Sequence, residues 1–91
     1  ANAAAAGVVV DARCTSIHTI TGRFDVVAAN VSAGTLIEMA DELLARAART
    51  LVVSGILTER WDEVRTRLAL PVVEEREVEG WVSAVLRRRE S

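Results

Sequence analysis

An asparagine standing where an apolar strand gives out is the residue of this sequence best placed for chemistry. It lies in Phe24-Asp25-Val26-Val27-Ala28-Ala29-Asn30-Val31-Ser32-Ala33-Gly34. The run from Val26 to Ala29 does not alternate, which is the pattern of a strand covered on both faces, as in parallel sheets. Open α/β sheets bind ligands just beyond the carboxyl ends of their strands. The Asn30 amide therefore falls where a ligand would lie. The same amide could instead end a strand and satisfy a turn. A second strand exit at Ser54-Gly55 is expected on the same rim, although a tight exit alone would explain the glycine. Other catalytic kits lack parts: His18 is the sole histidine and Cys14 the sole cysteine. Neither a metal cluster nor a Ser-His-Asp set can be assembled from them.

The elements that must hold this elbow can be read outward from it. Asn2-Ala3-Ala4-Ala5-Ala6-Gly7 has the look of a helix ending, with Gly7 as a left-handed cap. A chain opening in the last turns of a helix is expected to have lost its beginning. Val8 to Val10 follow as a short strand extending toward Ala12. Residues 13–22 are polar and loop-like, with Gly22 marking a turn. Beyond the elbow, Thr35-Leu36-Ile37-Glu38 has the form of a capping box. It opens a helix of about four turns whose buried face is Leu36, Ala40, Leu43, Leu44 and Ala47. Thr50 to Leu57 is the next apolar strand, and strand, helix and strand together predict a right-handed parallel βαβ unit.

Thr58 is expected to cap a further helix with the apolar stripe Trp61, Val64 and Leu68, stopped by Pro71. Val72 to Val78 and Trp81 to Leu86 then read as an antiparallel hairpin turned by Glu79-Gly80. The charges at Glu74, Glu75, Arg76 and Glu77 suit a sheet edge. Trp61 reads as core; Trp81 could pack on the sheet or face a partner.

Composition bounds the function classes. Ninety-one residues, 51% hydrophobic and 26% charged, make one small globular domain. A net charge of -2 gives no electrostatic argument for nucleic acid, and Arg87-Arg88-Arg89 reads as a solvated tail. The lone cysteine suits a reducing cytosol. No apolar run is long enough to span a bilayer, and the alanine-rich start lacks the basic flank of a signal peptide.

In element order and in wording, the chain resembles the C-terminal two-thirds of a class I S-adenosylmethionine-dependent methyltransferase catalytic domain. It is most similar to the ribosomal protein L-eleven methyltransferases. The likeness rests on Asn2-Ala3-Ala4, Gly7-Val8, Phe24 to Val31, Leu36-Ile37, Ser54-Gly55-Ile56-Leu57 and Trp81-Val82. There are departures. Ala47-Ala48-Arg49 stands where the family has a Pro-Gly-Gly turn, and the helix between the Val8 and Phe24 strands is reduced or missing. The segment around Pro71 is shorter than the family's Gly-Phe turn. The strand with the glycine-rich cofactor loop and the strand ending in the acidic ribose partner have no counterpart.

The resemblance implies a Rossmann-like α/β fold, incomplete, with parallel strands and a C-terminal antiparallel hairpin. Residues 1–91 would be the C-terminal part of one catalytic domain. The implied function is N-methylation of amino groups of a protein substrate, possibly ribosomal, in the cytoplasm, with S-adenosylmethionine as cofactor of the complete protein. It assigns catalysis to Asn30 and Val31, cofactor contacts to Ser16 and Asn30, and substrate contacts to Ser32, Ser54 and Gly55; no metal is implied. The local match around Ser16 is poor, and an ordinary loop serine is the competing account. Two other classes stay open: a partner-binding module that catalyses nothing, and some other nucleotide-binding α/β domain. Two strands would lie between the Val8 and Phe24 strands in the whole fold. Without them the Phe24 strand is expected to pair with a second chain, to contact the missing half of its own protein, or to be filled by Val8–Ala12 folding over.

Overall fold

The computed structural model describes residues 7–11 and 22–89, and within them the elements run β1 (Gly7–Asp11), β2 (Phe24–Asn30), α1 (Ala33–Glu38), α2 (Ala40–Arg46), β3 (Ala47–Leu57), α3 (Thr58–Leu68), β4 (Val72–Val78) and β5 (Trp81–Arg87). One five-stranded sheet holds them in the order β1-β2-β3-β5-β4. The first three strands are parallel and β5 is antiparallel to both β3 and β4. The expected βαβ unit and terminal hairpin are both present. β1 lies directly against β2, with Val9 opposite Ala28 and Val10 opposite Ala29. The alternative in which the Val8 strand fills the gap is the one realised. β2 has neighbours on both sides, which removes the open edge on which pairing with a second chain was argued.

The core follows the two-residue period of the strands. Val10, Val27, Ala29, Leu51, Val53, Val82, Ala84 and Leu86 point to one face and are buried. Over that face lie α1, α2 and α3, which touch one another, and which contribute Leu36, Ala40, Leu43, Trp61, Val64 and Leu68. Each of the larger side chains stabilises by about 1.5–3 kcal/mol on burial. The helical stripes were read correctly, except that Leu44 is only half-buried and Ala47, though buried, is the first residue of β3. The second face differs from the expectation of cover on both sides. Val9 and Val26 are exposed there, and Ala28, Val52 and Val85 are half-buried.

Local chemistry moves several boundaries. Ser32, not Thr35, is the N-cap of α1: its oxygen accepts from the Thr35 N–H at 3.4 Å. The single long helix becomes two short ones that meet at Met39, whose N–H donates to Thr35 O at 3.0 Å while its carbonyl accepts from Leu43 N–H at 2.9 Å. β3 begins at Ala47, three residues before Thr50. Leu57, not Thr58, is the N-cap of α3, with no side-chain cap. The helix ends at Ala69 in the left-handed region, φ 57°, two residues before Pro71. Gly7 is the first residue of β1 and is not a helix cap; residues 1–6 lie outside the described residues. Gly22 is a turn residue as read, with φ 86°.

Arg88 corrects the reading of a solvated terminal tail. Its Nε donates to Ala47 O at 2.8 Å, its Nη2 donates to Leu44 O, and its backbone N–H donates to Arg49 O at 2.9 Å. A guanidinium at the last carbonyls of a helix is favourable to the dipole and satisfies groups that have no partner within the helix. It fixes the abrupt passage from α2 into β3, at the place where the family carries its Pro-Gly-Gly turn.

Candidate functional site

Asn30 and Ser54 are the last paired residues of two adjacent parallel strands, and so the elbow and the second exit share one rim. Asn30 is exposed. The chain leaves β2 through Val31, which is buried, and Ser32, which is exposed. Ser32 is committed to α1: besides capping, its hydroxyl donates to Thr35 Oγ1 at 3.0 Å.

Gly55 is bound to this geometry in two ways. Its φ of 79° lies in the left-handed region, which a residue without Cβ adopts at no steric cost. A Cβ there would stand 2.8 Å from Asn30 Oδ1 and 4.0 Å from Val31 O. The glycine therefore lets the amide lie flat against the β3 backbone. The register of β3 with β5 shifts between Val53 and Ile56, around this residue. Such irregularities re-aim side chains at sheet rims.

Beside this pair is a hollow of about 290 Å³ lined by Ser32, Ala33, Gly34, Gly55, Leu57, Arg60 and Trp81. The sequence reading located Ser32 and Gly55 there but missed Leu57, Arg60 and Trp81. Trp81 was left between two roles and Arg60 passed unremarked. The available signal was the register: Trp81 opens the strand that runs antiparallel to β3, which places it opposite Leu57 at the rim. Arg60 Nε donates to Glu63 Oε1 at 2.8 Å. That hydrogen bond, followed by the Glu63 charge, raises the guanidinium pKa above its ordinary value and keeps it cationic. A second hollow of about 180 Å³ lies among Val52, Glu74, Arg76, Ser83, Ala84 and Val85. It holds the Glu74–Arg76 contact at 3.9 Å and no residue of the elbow.

Ser16, His18 and Cys14 lie outside the described residues. The rim thus assembles Asn30, Val31, Ser32, Ser54 and Gly55 of the expected site residues and leaves Ser16 unplaced. What it offers chemically is the side-chain amide of an exposed asparagine beside a partly apolar hollow. That set fits an amine, whose N–H groups need acceptors. Among the described residues, β1 is hydrogen-bonded to β2 where two cofactor-binding strands were expected.

Comparison with known proteins agrees with this architecture. A solved structure of ribosomal protein L11 methylase from Lactobacillus delbrueckii subsp. bulgaricus superposes with TM-score 0.74 at 19% identity, over 85% of this chain and 43% of that one. Magnesium protoporphyrin IX methyltransferase (ChlM) from Synechocystis, solved with bound SAM, gives TM-score 0.58 at 14% identity, over 82% of this chain and 44% of that one. At those identities the likeness shows the fold, that of class I methyltransferases. In sequence, a ribosomal protein L11 methyltransferase of Geobacter sulfurreducens is 49% identical over 61 residues, 65% of this chain and 20% of the relative. The chain thus matches only a minor part of that curated relative. The family model described as Ribosomal protein L11 methyltransferase (PrmA) matches residues 1–89, and the chain belongs to that family.

Proposed function

We propose that this chain is the C-terminal part of the catalytic domain of a cytoplasmic S-adenosylmethionine-dependent methyltransferase that N-methylates amino groups of a ribosomal protein. The observation that carries this is the contact between Asn30 Oδ1 and the Cβ-free Gly55 at the carboxyl ends of β2 and β3. It sets an amide acceptor at the rim where ligands of such sheets bind. In the complete protein the bound cofactor would supply an electrophilic methyl group. The residues of this chain would act on the acceptor. Asn30 Oδ1 and the Val31 carbonyl beside it would accept the N–H groups of an amine and aim its lone pair outward, whereas the Ser32 carbonyl is already taken by the Leu36 N–H at 2.9 Å. Leu57 and Trp81 line the hollow and disfavour the charged ammonium, because burial beside apolar surface favours the neutral form. Holding the nucleophile in one orientation is the main contribution such a site can make to an in-line displacement. Val31 is placed by its burial and acts through the backbone; Ser32, held by its cap, joins Ser54 and Gly55 in shaping the wall. Ser16 and Asn30 keep their assignments near the cofactor by resemblance alone.

Support for the cofactor comes from family membership and from the SAM-bound state of the Synechocystis neighbour. Support for the acceptor comes from the relatives, which are ribosomal protein L11 methyltransferases by name. The test is methyl transfer to ribosomal protein by a longer polypeptide that carries this chain after its cofactor-binding segment. Asn30→Ala is expected to lower kcat by about a hundredfold, the usual scale for one positioned donor or acceptor, with stability unchanged. Unaltered kcat would overturn the role of Asn30. A second reading, a module that binds a partner without catalysis, draws support from the direct β1–β2 pairing. Turnover by the longer polypeptide would exclude it.

A further inference from the structure

We infer that the amino ends of β2 and β3, with the carboxyl end of β5, form a basic pole that grips the phosphate backbone of double-stranded RNA. The inference rests on the ribosomal acceptor proposed above and adds a second contact at the opposite end of the strands. The chain carries eleven arginines and no lysine. Its net charge of -2 conceals how the charges are sorted. Six of the arginines, scattered in sequence, are brought to one end. Arg46 Nη1 donates to Gly22 O at 2.8 Å, next to Arg23, and Phe24 pairs with Ala47. Arg87 is the register partner of Thr50, beside Arg49, and the Arg88 N–H donates to Arg49 O at 2.9 Å. Arg89 follows. The nearby acids are largely engaged. Glu42 pairs with Arg46 at 3.6 Å, Asp41 with Arg67 at 3.1 Å and Glu74 with Arg76 at 3.9 Å, while Asp25 is exposed. Glu59, Glu77 and Glu79 sit at the other end, on the first turn of α3 and around the hairpin turn.

The arginines divide by task. Arg46 and Arg88 are half-buried and hold the junction of α2 with β3. Arg88 also meets the negative end of the α2 dipole. Arg23, Arg87 and Arg89 are exposed, and no ion pair among the described residues engages them. Their chemistry selects the occupant. A guanidinium is planar, always charged and weakly hydrated, and it takes phosphate oxygens in pairs. Arg23 flanks β2, Arg49 lies on β3 and Arg87 on β5, three neighbouring strands spaced at ~4.8 Å. The row is thus about 10 Å long, which matches three phosphates at the ~3.4 Å rise of one duplex strand. Single strands are held by stacking on exposed rings, and bilayers by apolar anchors such as Trp and Leu. Here Trp61 is buried, Phe24 is half-buried, and the exposed Trp81 and Leu57 are at the opposite rim. An unread duplex backbone fits what remains, and a ribosomal acceptor is met among RNA helices. The seven residues of β2 set this contact about 23 Å from Asn30, at ~3.3 Å per residue.

The test is fluorescence anisotropy with a labelled RNA duplex of about 16 base pairs, titrated with the full chain at about 20 mM salt. A Kd of about 50 μM is expected, with log affinity falling against log salt at a slope of about −3. Arg23→Gln, Arg87→Gln and Arg89→Gln should each weaken binding about tenfold and bring the slope to about −2. Arg60→Gln, at the acceptor rim, should change it by less than about twofold. Arg23 is the decisive position, because it is far from the terminal arginines in sequence. Loss on Arg87→Gln and Arg89→Gln with none on Arg23→Gln would make the tail alone the binder and overturn the pole. So would equal binding of all variants, or tighter binding of poly-glutamate or of phosphatidylserine vesicles than of the RNA. Methyl transfer by the longer polypeptide reads the acceptor separately. If Asn30→Ala lowers its kcat while the RNA fails to bind, the pole falls and the acceptor site stands; RNA binding without any methyl transfer gives the reverse.

Discussion

The two ends of β3 are built on opposite principles. At its amino end, Ala47 is buried, pairs with Phe24 and has its carbonyl taken by Arg88. The last carbonyls of α2 are met by the same guanidinium. At its carboxyl end, Gly55 holds a left-handed backbone against the exposed amide of Asn30, and an open hollow begins at once. One end spends its polar groups on internal partners, and the other keeps an acceptor turned outward. The difference teaches where each kind of residue is used in this fold: an arginine to close a junction, a glycine to leave room for an amide.

That contrast can be broken at either end. The largest stability effect is expected at the rim from Gly55→Ala. Strain at φ 79° and a Cβ 2.8 Å from Asn30 Oδ1 should together destabilise by about 2–3 kcal/mol. Urea unfolding reads the loss, and Asn30→Ala in the same chain should recover part of it by removing the clash. Next comes Arg88→Ala at the opposite end. Losing charged hydrogen bonds to part-buried carbonyls should remove about 2 kcal/mol, with no effect on kcat of the longer polypeptide. A fall in kcat comparable to that of Asn30→Ala would erase the division between the ends. Ser32→Ala removes the cap of α1, whose bond is long at 3.4 Å, and is expected to cost about 0.5–1 kcal/mol. The smallest effect is a gain. Glu79 and Gly80 both have positive φ, at 52° and 85°, the geometry of the two-residue turn that favours Asn-Gly. Glu79→Asn should therefore stabilise by about 0.5 kcal/mol in thermal unfolding.

Much of the sheet was legible because its signals are local. The apolar runs around Val27 and Leu51 are unambiguous, and the 3.6-residue spacing of Trp61, Val64 and Leu68 is a plain helical stripe. Asn30 and the Ser54-Gly55 exit could be placed on one rim because parallel neighbours end together. The failures are contacts between residues far apart in sequence. Arg88 reads as tail because the carbonyls it meets are more than forty positions away. Thr58 reads as a cap because nothing local announces that its hydroxyl goes to Glu77. Trp81 stayed undecided because its place depends on the registers of β3, β4 and β5. The position of β1 was legible only as one of two options, since a strand of five residues carries no mark of its neighbour.

We propose that the described residues carry the acceptor side of a methyl-transfer site and that this chain alone holds the cofactor weakly or not at all. A nitrogen-resolved NMR titration of the full chain tests both halves in one sample. With a lysine peptide of the ribosomal protein substrate, the Asn30 side-chain amide, the Gly55 N–H and the Trp81 indole resonances are expected to shift together and saturate. With S-adenosylmethionine at micromolar concentration, none of the three should move. Saturable shifts of Asn30 and Gly55 at micromolar S-adenosylmethionine, with no response to the peptide, would contradict the account.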